Sequence, residues 1–136
     1  MKDINQAVFE YLSKDSEIKE LISTRLYPLM LPQDAPLPAV VYSPITANYD
    51  SALTGDTGFV RQTMQFNCHD STFKNSRRLS RMIKGKLQDF SGDMQGLNIQ
   101  ASYIKSDYIL KTNTALKFKT DEYISVIEFE FFYNEK

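Results

Sequence analysis

Apolar residues recur along this chain in two rhythms, and the places where one gives way to the other mark its elements. From Phe59 to His69, Val60, Met64, Phe66 and Cys68 alternate with Arg61, Thr63, Gln65 and Asn67, the period of two that a half-buried strand requires. Only Gln62 breaks it. Directly afterwards the spacing lengthens: Leu79, Met82, Ile83, Lys86, Leu87 and Phe90 follow at three and four, predicting a long helix that Asp70 or Ser71 can cap. Lys86 is the one charged member of that stripe, so its stem is expected along the apolar face with the amine in water.

The same rhythms organise the flanks. Ile4, Ala7, Val8, Tyr11 and Leu12 lie on one helical stripe with Asp3 near its start, and Asp15 or Ser16 can cap a shorter piece carrying Ile18, Leu21 and Ile22. Pro28, Pro32, Pro36 and Pro38 then exclude a helix or central strand, leaving Leu26-Tyr27 as a very short strand. Ala39 to Ser43 reads as a strand buried on both faces at its start and ended by Pro44. Thr46 to Gly58 is rich in turn formers and reads as a long polar connection, in which the apolar Tyr49 and Leu53 hint at a contact made elsewhere.

Beyond the long helix, Ser91-Gly92-Asp93 breaks the chain. Leu97, Ile99, Ala101 and Tyr103 alternate on one side before Ile104, Tyr108 and Leu110 take the other parity, which predicts a bulge near Ile104 to Ser106. Lys111 to Glu122 is a second polar connection, where Leu116 and Phe118 could extend the flanking strands. Tyr123 to Tyr133 closes the chain as a strand with Ile127, Phe129 and Phe131 inward and Glu128 and Glu130 outward. The class that follows is α+β: an antiparallel or mixed sheet of about four to five strands, with N-terminal helices and one long central helix packed on one face.

Composition narrows the functions. A chain of 136 residues is the size of one domain, so residues 1–136 are expected to share one core. The net charge of -1 argues against the overall basic excess of a dedicated nucleic-acid binder. Yet Lys74, Arg77, Arg78, Arg81, Lys84 and Lys86 fall between Ser71 and Gln88 with no acid among them. Cys68 is the only cysteine, so no internal disulfide can form. No apolar run has the length of a signal peptide or a membrane span, which leads to the expectation of a soluble protein made and kept inside a cell, with no membrane partner.

Catalytic equipment is hard to find. Cys68 and His69 are adjacent, but neighbours on a strand point to opposite faces and cannot readily form a thiolate-imidazolium couple. One His and one Cys cannot assemble a zinc site, and the acids do not cluster. The five glycines trace neither a phosphate loop nor a dinucleotide fingerprint. Glu128 and Glu130 share a strand face, as acid-base pairs can, but read as ordinary solvated acids. No catalytic, cofactor-binding or metal-binding residue is therefore expected, and no enzyme. The strongest feature outside the core is the positive helix face, where Lys74, Arg77, Arg78, Arg81 and Lys84 form rows spanning roughly 15 Å. Acids of a neighbouring subunit, nucleic-acid phosphates or plain salt could each offset it.

Arg25-Leu26-Tyr27-Pro28, followed by Pro32-Gln33-Asp34-Ala35-Pro36-Leu37-Pro38-Ala39-Val40-Val41-Tyr42, resembles the tail-completion proteins of long-tailed bacteriophages, a family of small head-tail joining proteins. The similarity extends over essentially the whole length, most distinctively in the proline-rich turn. It implies a structural α+β subunit that assembles as a ring, expected as a hexamer, at the head-proximal end of the tail tube. There it would meet copies of itself, the tail tube protein and head connector proteins, with genomic DNA passing through. The place implied is the virion, reached from the host cytoplasm during assembly. Lys74, Arg77, Arg78, Arg81, Lys84, Tyr49 and Leu53 are the candidate interface residues. The rival reading is a small nucleic-acid-binding regulator using the basic helix 71–90 on phosphates.

Overall fold

The computed structural model describes residues 2–111 and 122–135. In chain order they form α1 (Ile4–Ser13), α2 (Ser16–Ile22), β1 (Leu26–Pro28), β2 (Ala39–Ala52), β3 (Gly55–Asp70), α3 (Phe73–Leu87), β4 (Gly92–Met94), β5 (Leu97–Lys111) and β6 (Tyr123–Asn134). The strands make one curled, half-barrel sheet in the order β1-β2-β3-β6-β5-β4. Only β1 and β2 run parallel. The class is α+β as expected, but with six strands rather than four to five, and with three helices sharing the work of covering the sheet.

In an antiparallel ladder, residues directly opposite one another share a face, so the pairs Val60↔Tyr133, Met64↔Phe129 and Phe66↔Ile127 define the inner side of the sheet. Onto it pack Ile4, Ala7, Val8 and Leu12 of α1, Ile18 and Ile22 of α2, and Leu79, Ile83 and Leu87 of α3, all in one continuous core. The helices start where short polar side chains satisfy their first amides: Asp3 accepts from Asn5, and Asp15 from Glu17 and Ile18. For α3 the cap is Thr72, whose side chain accepts from Asn75, and not Asp70 or Ser71. Asp70 is instead spent on Ser71, whose N–H donates to Oδ1 at 2.7 Å.

Two polar residues on the inner side are accommodated by hydrogen bonds. Gln62 is 6% exposed, and its Nε2 donates to the carbonyls of Thr46 and Thr63 at 3.2 and 2.9 Å. Ser76 of α3 is fully buried, its Oγ lying 3.0 Å from the Cys68 carbonyl and 2.8 Å from Ser125 Oγ, which ties the helix to β3 and β6 at once.

Several boundaries differ from the expectation. Pro44 does not end β2, which runs on through Ala52 against β3, with register shifts at Pro44/Thr46 and Tyr49/Ser51. The supposed connection Thr46–Gly58 is therefore a hairpin, and only Leu53-Thr54 lie between its strands. Both sides of it meet water, so it shows no alternation to read. Around the Ser91-Gly92-Asp93 break lies the short strand β4, paired with the start of β5. The expected bulge in β5 is present at Ile104/Ser106, and a second lies at Ile99/Ala101. Of the second polar connection, residues 112–121, including Leu116 and Phe118, fall outside the described residues.

Candidate functional site

The positive row stands on the outer side of α3, opposite the Leu79, Ile83 and Leu87 stripe that holds the helix to the sheet. Its members are not equivalent. Arg77 reaches across to β5, where its guanidinium grips Asp107 with Nη1 donating at 2.6 Å and Nη2 at 3.1 Å. That bond from Arg77 holds the Asp107 carboxyl below the ordinary carboxylate range, and the charges of Lys84 and Arg81 add to the effect. Lys86 is also committed, with Nζ 2.8 Å from Glu17 Oε1 and 3.1 Å from Asp15 Oδ2, so its amine is ion-paired to α2 and its cap rather than left in water as expected. What remains facing solvent is Lys74, Arg78, Arg81 and Lys84, with no carboxylate among the described residues within 4.0 Å. Like charges three and four residues apart on a helix repel by a few tenths of a kcal/mol per pair. Alone in water, this row weakens α3.

Tyr49 and Leu53 sit elsewhere. The last support that β6 gives β3 is at Phe59↔Asn134, and beyond it the β2–β3 hairpin continues as a two-stranded arm. Leu53 at its tip is fully exposed, and Tyr49 at its root is 64% exposed. Two clefts flank that root, of about 330 and 530 Å³, and Tyr49 borders both. The larger is also lined by Asp3, Asp56, Gln62, Tyr133 and Glu135. Burial, then the charges of Glu135 and Asp3 and the neighbouring Tyr49, push the Tyr133 hydroxyl up to about 12. The N-terminus of α3 lies by the opposite end of the sheet, where Phe73 meets Tyr123 edge-on at 6.3 Å. The structure thus divides the candidate residues into two groups at different ends of the molecule.

Two residues that matter to this arrangement were not among the candidate site residues. Asp107 becomes the partner of Arg77 only because β5 lies next to β6 beneath α3. Arg25 donates from Nε to the Pro38 carbonyl at 2.7 Å and from Nη2 to the Leu21 carbonyl at 3.3 Å. It thereby pins the proline-rich turn to α2, which accounts for the Arg that precedes the short strand.

The remaining candidates stay apart. Cys68 is fully buried among core residues, where burial pushes its thiol far above the ordinary range. His69 faces the other side of the sheet, against the Glu122 carboxylate. Glu128 and Glu130 lie on β6, a strand inside the sheet rather than at its rim, beside Gln65 and Lys105 respectively. Among the described residues, no group of three or more His, Cys, Asp or Glu could hold a metal ion. No helix among them is long and apolar enough to cross a membrane.

Helices on one side of a curled sheet, with charge and a projecting arm on the outside, define an α+β subunit whose distinctive chemistry lies on its surface. The family model of the tail completion protein gp17 matches residues 6–117, and the chain belongs to that family. It is accordingly a structural phage tail protein with a place in the virion. No curated protein matches it. Among solved structures it is similar to a chain from the virion of a native gene transfer agent (GTA) particle, with a TM-score of 0.74 over 96% of this chain and 94% of that one. Identity there is 14%, so the likeness is one of fold.

Proposed function

We propose that this chain forms a ring at the head-proximal end of the finished tail tube and there provides the surface that docks onto the head connector. Membership of the tail completion family carries this reading. The surfaces agree with it: a closed ring is built from heterologous contacts, so each subunit needs two different patches on different sides. The basic row of α3 and the arm with its clefts are two such patches. Lys74, Arg77, Arg78, Arg81, Lys84, Tyr49 and Leu53 lie at interfaces in this reading, with Arg77 shaping the row through Asp107 rather than reaching outward itself. The expected ring is a hexamer with a hole that passes the genomic DNA, and it assembles in the host cytoplasm.

Deleting the gene from the phage that encodes it tests the function directly. Electron micrographs of the lysate should then show DNA-filled heads and full-length tails side by side but unjoined. Joined, infectious particles at the ordinary yield would refute the assignment. Four solvent-facing cations also suit a phosphate backbone, so a regulator that binds DNA through residues 71–90 is the second reading. It requires binding that falls steeply as salt rises.

A further inference from the structure

Two long strands of the sheet outrun the short strands that flank them. On β2, the parallel partner β1 reaches only from Leu26↔Val40 to Pro28↔Tyr42, and the Leu29 N–H adds a last bond to the Tyr42 carbonyl. From Ser43 to Ala52 no strand among the described residues pairs with the outer edge of β2. On the other side of the sheet, β4 pairs only with Leu97 to Ile99 of β5. The connection after α3 covers slightly more, since Asp89 N–H donates to the Ser102 carbonyl and Ile104 N–H to Gln88 Oε1, each at 3.0 Å. From Lys105 to Lys111 that edge too is open among the described residues. An open edge is a row of N–H and C=O groups without a ladder partner, and so a template for another strand.

We infer that the open edge of β2 in one subunit pairs antiparallel with the open edge of β5 in the next, so that neighbouring copies share one sheet. This rests on the ring reading above and specifies the contact that builds the ring. Three features of the fold select a second copy as the occupant. The run β2-β3-β6-β5 is antiparallel throughout, so β2 and β5 point in opposite directions, and a copy brought alongside by rotation presents its β2 antiparallel to β5. Pro44, Met64, Phe129 and Ile104 form one row across the sheet, beside which β2 is open toward the arm and β5 toward Lys111. Sheets joined through these stretches are offset along their strands, the stagger that tilted strands need in order to close on themselves. Lastly, a two-stranded ribbon is marginal in water, and this pairing gives the arm its third strand. Pairing β2 with β2 across a two-fold axis would support the arm but leave every β5 edge open. Because Arg77 of α3 grips Asp107 on β5, the contact also sets the arm of one copy beside the basic helix of the next.

Cysteine cross-linking of the full-length chain tests the pairing. Thr46, Asn48, Tyr108 and Leu110 face the side of the sheet away from the helices, opposite Thr63, Arg61, Val126 and Ile124, whereas Ile109, opposite Ser125, faces the helices. All four outer positions are exposed, so cysteine there spares the core, and circular dichroism melting checks each variant. The one native cysteine, Cys68, is buried, which makes the wild type the unlinked control. Rings assembled on isolated tails, or in concentrated solution, are oxidised and run on a non-reducing gel. Asn48→Cys combined with Tyr108→Cys or with Leu110→Cys should give a ladder running past the dimer. The better of the two should be at least about fivefold stronger than Asn48→Cys with Ile109→Cys, because opposite-side cysteines do not meet in paired strands. Replacing Asn48→Cys by Thr46→Cys should move the best partner two positions toward Lys111, as antiparallel pairing requires. Rings that form yet link through none of these pairs overturn the pairing and leave the ring standing. Dimers from Asn48→Cys alone would show a two-fold contact and overturn it as well, and links from the arm to the tail tube protein would reassign the edge to that partner. A wild type that forms no ring, in solution or on tails, overturns ring and pairing together.

Discussion

Asp107 illustrates how a side chain of modest exposure can couple stability to pH. Its folded carboxyl titrates below the ordinary value because Arg77 donates two hydrogen bonds to its charged form. A carboxyl of this kind contributes stability in full above its unfolded pKa of about 4, and that contribution is lost as pH falls through the lower folded value. Near a protein surface such a pair is worth about 1 kcal/mol or less. Urea unfolding should therefore find Asp107→Asn less stable than wild type by about that amount at pH 7. As pH falls through the lowered folded value the gap should shrink and, once the carboxyl is protonated in both states, vanish; a gap that persists in that fully protonated range would mean that the ion pair is not its source. Neither partner announced the other in the sequence. Gln62 did stand out, because a polar residue in the core register needs partners, and the carbonyls of Thr46 and Thr63 supply them.

Helices were more legible than strands here, for a reason rooted in their geometry. A helix buries its stripe locally, so Ile4, Ala7, Val8 and Leu12, or Leu79, Ile83 and Leu87, disclose it without knowledge of what they pack against. A ribbon wet on both sides has no such signature, which is why the arm reads as a loop in sequence. Beyond Phe59 no third strand among the described residues pairs with it, and Leu53 at its tip is fully exposed. Replacing residues 51–56 with a two-residue Asn-Gly turn should thus change the unfolding free energy by no more than about 0.5 kcal/mol. The same change should impair joining of heads to tails in a complementation assay. A large loss of stability would show that the arm belongs to the fold rather than to assembly.

A single core runs through all three helices and the sheet, from Ile4 to Tyr133. We expect residues 1–136 to unfold as one cooperative unit, with far-ultraviolet and near-ultraviolet circular dichroism giving superimposable transitions. Two separated transitions would divide the chain into independent parts. What the sequence by itself determined is the class of fold, the three helices, the inward residues of β3 and β6, and, through the Arg-Leu-Tyr-Pro and proline-rich turn, the family that the matching model establishes. These are properties of local periodicity and of residues adjacent in the chain. Tertiary structure alone decided the sheet order, the length of the arm, the removal of Arg77 and Lys86 from the free charge, and the gathering of Asp3, Asp56 and Glu135 around one cleft. Each of those depends on which distant segments become neighbours, and local hydrophobic rhythm carries no record of the neighbour across a sheet.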